Sequence, residues 1–175
     1  MIKLERIHVK NYKNIAEADL PLGQMNVVVG ENNAGKSNLL EVIPLLNHLI
    51  YGPVNEIKSG FLMGGFFKNF NSIADVKYPI IRSLLGLRLE FSDSDLLYSY
   101  NLELESLPKD EADFLTILSI SKESLFYKPR NKTGKAIRIF ERKKNKVEYG
   151  EGIKKIEIIE NIEDHVSVIN LLSII

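Results

Sequence analysis

The residues best suited to hold a ligand lie in one stretch, Gly30 to Ser37 (GENNAGKS). Their spacing fits the pattern G-x-x-x-x-G-K-[ST], in which glycines let the backbone curl so that successive N–H groups, from about Asn33 to Ser37, converge on phosphates. Lys36 can then reach the β and γ phosphates of a nucleotide, and the Ser37 hydroxyl can ligate Mg²⁺. The pattern predicts a nucleotide-binding loop. The alternative interpretation is a glycine-rich turn between a strand and a helix, with a solvent-facing lysine.

A strand and a helix must flank such a loop, and the sequence predicts both. The β-branched run Met25 to Val29, bounded by glycines, is typical of a central strand that is buried on both faces. Pro44 removes a helical hydrogen bond, so we expect the following helix to kink or stop near Ile43, and Gly52-Pro53 to mark its end at the latest. The helix itself is predicted from apolar residues at three- and four-residue spacing, namely Leu39, Leu40, Ile43, Leu46 and Ile50.

The other segments predict mostly antiparallel strands. Alternation of apolar and polar residues indicates strands at 2–10 and about 15–22, then at about 84–92, 97–106, 114–120, 136–142 and 146–149. The last two flank Lys143-Lys144-Asn145 as a hairpin. We expect one lobe over residues 1–175, divided into strands, loop and helix (1–52), an irregular loop (53–83), an antiparallel β-subdomain (84–150) and a final segment (151–175). That segment ends in the apolar SVINLLSII, which we expect to pack on a following element or another chain.

Two stretches of the chain resemble a known family. IKLERIHVKNYKNI (2–15) and MNVVVGENNAGKSNLLEVI (25–43) look like the N-terminal half of the ABC-type ATPase heads of SMC, RecF and OLD proteins, which include bacterial DNA-repair and phage-defence ATPases. The details beyond the phosphate loop are Asn11-Tyr12-Lys13 and Asn38-Leu-Leu-Glu41. The resemblance implies an α/β fold, a P-loop NTPase core joined to an antiparallel β-subdomain. It places Lys13 and Asn14 beside ATP, although Lys13 has the alternative of a solvated turn lysine. The implied nucleotide-binding residues of the loop are Gly30, Asn32, Asn33, Ala34, Gly35, Lys36, Ser37 and Asn38.

The sequence also departs from that family. We find no Walker B strand ending in Asp-Glu, and LRLEF (87–91) and IEIIE (156–160) fit alternating strands better. We find no SGG-type signature, and the only glutamine, Gln24, precedes the loop. The resemblance implies that the second half of the head follows a long helical insertion. We therefore identify no catalytic residue, and we expect negligible hydrolysis by this chain alone.

Charge is unevenly distributed along a chain whose formal net charge is +0. Residues 128–146 hold nine basic residues and one acid, whereas residues 90–113 hold eight acids and one lysine. A basic hairpin could lie on a DNA backbone with little sequence reading. The candidate DNA contacts are Arg142, Lys143, Lys144 and Lys146. The alternatives are a solvated face and pairing with the acidic segment.

Composition excludes several other functions. Without cysteine, and with only three scattered histidines, the chain has no disulfide scaffold, thiol chemistry or zinc cluster. No stretch resembles a signal peptide or membrane span, so we expect a cytoplasmic protein without a membrane partner. Four phenylalanines could stack on single-stranded nucleic acid, but core or interface packing is the favoured interpretation. They are Phe61, Phe66, Phe67 and Phe70.

The predicted function is that of an ATP-binding lobe which, with Mg²⁺, engages a second head on ATP and acts in DNA repair or phage defence. Its partners would be the C-terminal half of the head and a second head, as a homodimer in the full protein. The alternative is a non-catalytic, nucleotide-responsive module that controls a separate nuclease or toxin. A small GTPase or kinase is disfavoured, because the sequence has no Asn-Lys-x-Asp motif.

Overall fold

The computed structural model of the protein describes residues 1–12, 14–51, 85–107, 117–130, 133–150, 157–163 and 166–172. The predicted irregular loop at 53–83, with its four phenylalanines, lies outside these residues, and so does Lys13. The helices are α1 (Lys36–Tyr51) and α2 (Val168–Leu172). The strands are β1 (Lys3–Tyr12), β2 (Ile15–Pro21), β3 (Leu85–Ser92), β4 (Leu96–Leu107), β5 (Ile117–Pro129), β6 (Ile137–Lys143), β7 (Lys146–Tyr149) and β8 (Glu157–Ile159).

All eight strands form one antiparallel sheet in the order β2-β1-β3-β4-β5-β6-β7-β8. The predicted strands in the first 22 residues and between 84 and 149 are confirmed, including the hairpin of β6 and β7 that turns at Lys144-Asn145. The strand predicted at 114–120 overlaps only the start of β5, which begins at Ile117 and continues to Pro129. The middle of β5, 121–124 (SKES), is polar and is followed by the unbroken run Leu125-Phe126-Tyr127, so alternation of apolar residues gives a weak signal there.

One face of the sheet is apolar and covered, while the other carries paired charges. Residues that face each other across the strands lie on the same side, and Val9, Leu87 and Leu102 form such a row, each at most 3% exposed. The opposite face holds ion pairs such as Arg6 with Asp19 (3.0 Å) and Lys122 with Glu103 (2.9 Å). The sheet therefore needs cover on one side only.

Helix α1 contributes to the core on this face, and its first turn contacts the β1–β2 turn through Asn38. Val42, Leu46 and Ile50, at four-residue spacing, are at most 8% exposed and belong to the same core as the sheet residues. The expected stop near Ile43 is wrong, because α1 continues through Pro44 to Tyr51. Burying two apolar side chains beyond the proline contributes about 3–6 kcal/mol, which offsets the cost of about 3 kcal/mol for a proline inside a helix.

The predicted central strand at Met25 to Val29 is not formed. These residues have no strand structure, and Met25, Val27 and Val29 are 86%, 77% and 84% exposed. A strand buried on both faces needs neighbouring strands and helices, and the described part of the chain places none around this segment. The described residues thus hold the antiparallel sheet and one long helix, without the parallel layer of an α/β core.

The C-terminal segment covers the other half of the apolar face through a buried polar cluster. Glu123 is 0% exposed, and its carboxylate accepts hydrogen bonds from the Tyr100 hydroxyl (2.9 Å), the Ser167 hydroxyl (2.7 Å) and the Val168 N–H (2.8 Å). Burial and the nearby Glu123 carboxylate raise the pKa of Tyr100 well above its ordinary value. Because Ser167 and Val168 lie at the start of α2, this carboxylate fixes α2 to the sheet.

Arg142, the register neighbour of Glu123 on β6, is also 0% exposed. Its guanidinium donates to the backbone carbonyls of Lys144 (2.6 Å), Glu163 (2.9 Å) and Val166. These bonds hold the segment before α2 against β6. The prediction that Arg142 contacts DNA is therefore wrong, because the side chain is enclosed and its donors serve the fold.

We predict that Glu123→Ala lowers the free energy of unfolding by about 3 kcal/mol, because it leaves buried donors without an acceptor. Urea denaturation measures the effect. Glu103→Ala is the matched control, since this β4 carboxylate pairs with Lys122 on the solvated face and should contribute less than about 1 kcal/mol. Equal losses in the two variants would contradict the structural role of the cluster.

Candidate nucleotide-binding site

The loop between Gly30 and Ser37 has a defined backbone path into α1. Its turn at Asn32-Asn33 is closed by a hydrogen bond from the Ala34 N–H to the Glu31 carbonyl (3.2 Å). Asn33 and Gly35 have positive φ values of 68° and 89°. Asparagine and glycine tolerate this left-handed backbone better than other residues, so the sequence of the loop suits its shape.

Lys36 lies over the start of the loop. Its Nζ donates to the carbonyls of Gly30 (2.6 Å) and Glu31 (2.5 Å), which fixes the ammonium group beside the turn. An ammonium group has three donors, so one remains for an anion while these two bonds are made. The interpretation of Lys36 as a merely solvent-facing lysine does not account for these contacts.

The first turn of α1 adds positive potential at the same place. N–H groups at the start of a helix have no partner within the helix, and the helix dipole makes this end attractive to anions. The structure describes this whole turn, and it holds no acidic residue that would occupy those donors. Ser37, in the same turn, is exposed.

The donor set fits a nucleotide phosphate group. Backbone N–H groups, the Lys36 ammonium and the Ser37 hydroxyl all favour a polyanion, and the hydroxyl oxygen is a suitable Mg²⁺ ligand. Among the residues that the structure describes, no group of three or more His, Cys, Asp or Glu is placed to hold a metal ion. A cation bound here would have Ser37 as its ligand from the loop, with phosphate and water oxygens around it.

Asn14, in the turn between β1 and β2, contacts both sides of the loop. Its Nδ2 donates to the Asn33 carbonyl (2.8 Å), and its Oδ1 accepts from Asn38 Nδ2 (2.8 Å). A Cβ atom on Gly35 would lie 2.8 Å from the same Oδ1. The structure thus brings Asn14 together with Asn33, Gly35 and Asn38, all of which were predicted from the sequence.

Sequence reasoning did not identify the second contact between this turn and α1. Tyr12 is fully buried, and burial together with the neighbouring Glu41 carboxylate, with which its hydroxyl interacts, raises its pKa. Both residues belong to the two stretches that carry the family resemblance, Asn11-Tyr12-Lys13 and Asn38-Leu-Leu-Glu41. Both stretches can be recognised in the sequence. Nothing in the sequence, however, indicates that Tyr12 and Glu41 lie in contact.

The basic hairpin lies at the same end of the sheet as this site. Lys143, Lys144 and Lys146 are exposed around the β6–β7 turn, and Lys143 pairs with Glu141 (3.3 Å). Four strand-to-strand steps separate β1 from β6, a distance of about 19 Å. Other ion pairs of the basic segment join Arg130 to Glu5 (2.9 Å) and Arg138 to Glu148 (3.1 Å).

Neither helix that the structure describes combines the length and the apolar character needed to cross a membrane.

Comparison with protein families gives one match over nearly the whole chain. The family model described as "AAA ATPase domain" matches residues 2–170. No solved structure matches the chain.

Several curated proteins are similar over parts of the chain. An uncharacterized protein of Methanocaldococcus jannaschii is 49% identical over 106 residues, which cover 58% of this chain and 39% of the relative. The OLD nuclease of Thermus scotoductus is 32% identical over 77 residues, 44% of this chain and 14% of that protein. The DNA replication and repair protein RecF of Brucella abortus is 45% identical over 47 residues, 26% of this chain and 12% of that protein. In each case the matched region spans less than half of the relative's length.

The geometry of Gly35 generates a prediction for the loop. Gly35→Ala should lower the free energy of unfolding by about 1–2 kcal/mol, because φ is +89° and the new Cβ would displace Asn14. Gly30→Ala is the control, since its Cβ would lie 3.6 Å from Ala34 Cβ, an ordinary contact, and should change the value by less than about 0.5 kcal/mol. Urea denaturation compares the two, and an effect of Gly35→Ala no larger than that of Gly30→Ala would contradict the described path of the loop.

Proposed function

We propose that this chain, which belongs to the AAA ATPase domain family and is the N-terminal region of an SMC/RecF/OLD-like ATPase, is the ATP-binding lobe of a head that associates on ATP. The observation that carries the proposal is the position of the Lys36 ammonium, bonded to the Gly30 and Glu31 carbonyls beside the N-terminus of α1. In this proposal the loop amides and Lys36 hold the phosphates, while the Ser37 hydroxyl ligates Mg²⁺. The cation, when bound, neutralises charge on the β and γ phosphate oxygens.

Exposed apolar side chains on either side of the loop in sequence support the proposal that further protein completes the head. Val27, Val28 and Val29 precede the loop and are 77%, 44% and 84% exposed, and Leu40 and Ile43 on α1 are 67% and 41% exposed. Apolar side chains grouped in this way gain free energy when another surface covers them. We propose that the C-terminal half of the head covers them and that a second copy of the completed head then engages the nucleotide.

Hydrolysis is proposed to require that second half. An attacking water must be oriented and activated by a carboxylate, and we assign this role to no residue of the chain. We propose a place in DNA repair or phage defence, the former supported by similarity to a DNA replication and repair protein.

Similarity to an OLD nuclease favours a second candidate function, a non-catalytic module whose nucleotide state controls a nuclease or toxin partner. The two candidates differ in turnover. Steady ATP hydrolysis by the chain joined to the half that carries the missing motifs supports the ATPase, whereas tight ATP binding without turnover supports the module.

Lys36→Ala tests nucleotide binding. We expect ATP affinity to fall by about 100-fold or to the detection limit of calorimetry, because the change removes the charged donor at the loop. Lys128→Ala removes an exposed lysine on β5 and should leave ATP affinity unchanged. ATP binding that persists in Lys36→Ala at the wild-type affinity would overturn the assignment of the loop.

The hairpin with Lys143, Lys144 and Lys146 is proposed as a DNA-backbone contact, since all three side chains are exposed at the end of the sheet that carries the loop. The contact would be insensitive to base sequence, because ammonium groups at such a turn reach phosphates. Arg142 has no part in it.

Replacing Lys143, Lys144 and Lys146 together by glutamine should weaken duplex binding and lower the slope of log affinity against log salt by about 0.9 for each lost phosphate contact. The control replaces Lys3, Lys128 and Lys135, which changes the net charge equally at exposed sites away from the β6–β7 turn. Fluorescence anisotropy over a salt series measures both. A triple variant whose affinity and salt slope match those of the control would rule out the hairpin as the contact.

A further inference from the structure

The contacts of Asn14 point to a role other than the phosphate contact that the family resemblance implies. Both ends of its carboxamide bond to protein, Nδ2 to the Asn33 carbonyl at 2.8 Å and Oδ1 to Asn38 Nδ2 at 2.8 Å. The three residues are far apart in sequence, so these bonds join the β1–β2 turn to the loop and to the first turn of α1. We propose that Asn14 is a positioning residue that holds the loop in its phosphate-binding conformation, an inference that rests on the proposed nucleotide site.

The bond to Asn33 fixes the orientation of one peptide group. In a trans peptide the C=O and the following N–H point in opposite directions. Here the Asn33 carbonyl is directed to Asn14, and the Ala34 N–H is directed to the Glu31 carbonyl (3.2 Å). Rotation of this peptide would turn a carbonyl oxygen toward a different side of the loop, where it could repel a phosphate. The Asn14 amide opposes that rotation.

The loop gains order from such an external contact because it lies on an exposed surface. Asn33 and Gly35 both have positive φ, and the residues from Glu31 to Ala34 are exposed, so packing contributes little to their order. The Asn14 oxygen also occupies the space beside Gly35, where a Cβ atom would lie 2.8 Å away. One side chain therefore contacts the loop at its turn, at its glycine and, through Asn38, at the helix.

The turn that carries Asn14 is itself anchored. Tyr12, two residues earlier, is buried, and its hydroxyl interacts with Glu41 in the second turn of α1. The turn thus contacts α1 at two successive helical turns, through Asn38 and Glu41, which lie three residues apart on one side of the helix. This arrangement lets Asn14 act as a fixed support, because the strand that precedes it ends in a buried residue, Tyr12.

Hydrogen exchange on the nucleotide-free chain tests directly whether Asn14 holds the loop in its conformation. In Asn14→Ala we expect the Ala34 and Leu39 amides, which donate to Glu31 and Gly35, to exchange about tenfold faster, because one hydrogen bond that orders the loop is lost. Asn101→Ala is the matched control, since this asparagine donates to Ser124 on the opposite side of the sheet. Unchanged exchange in Asn14→Ala would overturn the proposal.

A double-mutant cycle then separates positioning from direct contact. We expect Asn14→Ala and Asn38→Ala each to weaken ATP affinity, by about tenfold for Asn14, and the double variant to lose less than the sum of the two losses, since each acts through the other. Additive losses would overturn the proposal and indicate a separate phosphate contact for Asn14. If the wild-type chain binds no nucleotide, the proposed function fails, whereas the exchange experiment still decides whether Asn14 holds the loop.

Discussion

The packing of one side of α1 against the antiparallel sheet determines where the candidate nucleotide site can lie. Val42, Leu46 and Ile50 are buried in the core that α1 shares with the sheet, and this burial fixes the helix against the sheet. The N-terminus of α1, with its free N–H groups, is thereby brought beside the β1–β2 turn. The helix would lose two of these three buried side chains, Leu46 and Ile50, if it ended at Pro44. The cost of the proline is reduced because Leu40, whose carbonyl loses its partner there, lies on the exposed side, where water can replace the bond.

How far the sequence predicts this structure depends on the range of the interactions involved. β7 is predicted with its observed ends, 146–149, because alternation and a two-residue turn are local signals. The burial of Arg142 is not predictable in this way, since its partners are a register neighbour on β5 and carbonyls some twenty residues further along the chain. A count of basic residues does not distinguish Arg142 from Lys143. Only the strand topology shows that Arg142 is buried whereas Lys143 is exposed.

The same distinction applies to the candidate site. Gly35 and Lys36 follow from a short motif whose chemistry is local. In the structure Gly35 has a positive φ, and Lys36 Nζ donates to the Gly30 and Glu31 carbonyls. Asn14 was selected by resemblance, which identifies a residue near the site without stating what it touches. Its carboxamide contacts come from the placement of β1 against α1, which the sequence motif does not encode. Met25 to Val29 illustrates the opposite case, in which a local apolar pattern predicts a strand whose neighbours are absent from the described residues.

The distribution of charge and apolar surface links the site to whatever covers it. On the solvated face of the sheet, charges are paired between strands, as Arg6 is with Asp19, so that face has little to gain from a partner. Several exposed apolar residues instead adjoin the loop in sequence, at Val27 to Val29 before it and at Leu40 and Ile43 after it. In the proposed function, a partner that covers these side chains would contact the loop and the start of α1, the same elements that are proposed to hold the phosphates. If nucleotide and partner bind as proposed, both act on the same short segment. A nucleotide that orders this segment would then favour the partner by the same free energy with which the partner favours the nucleotide.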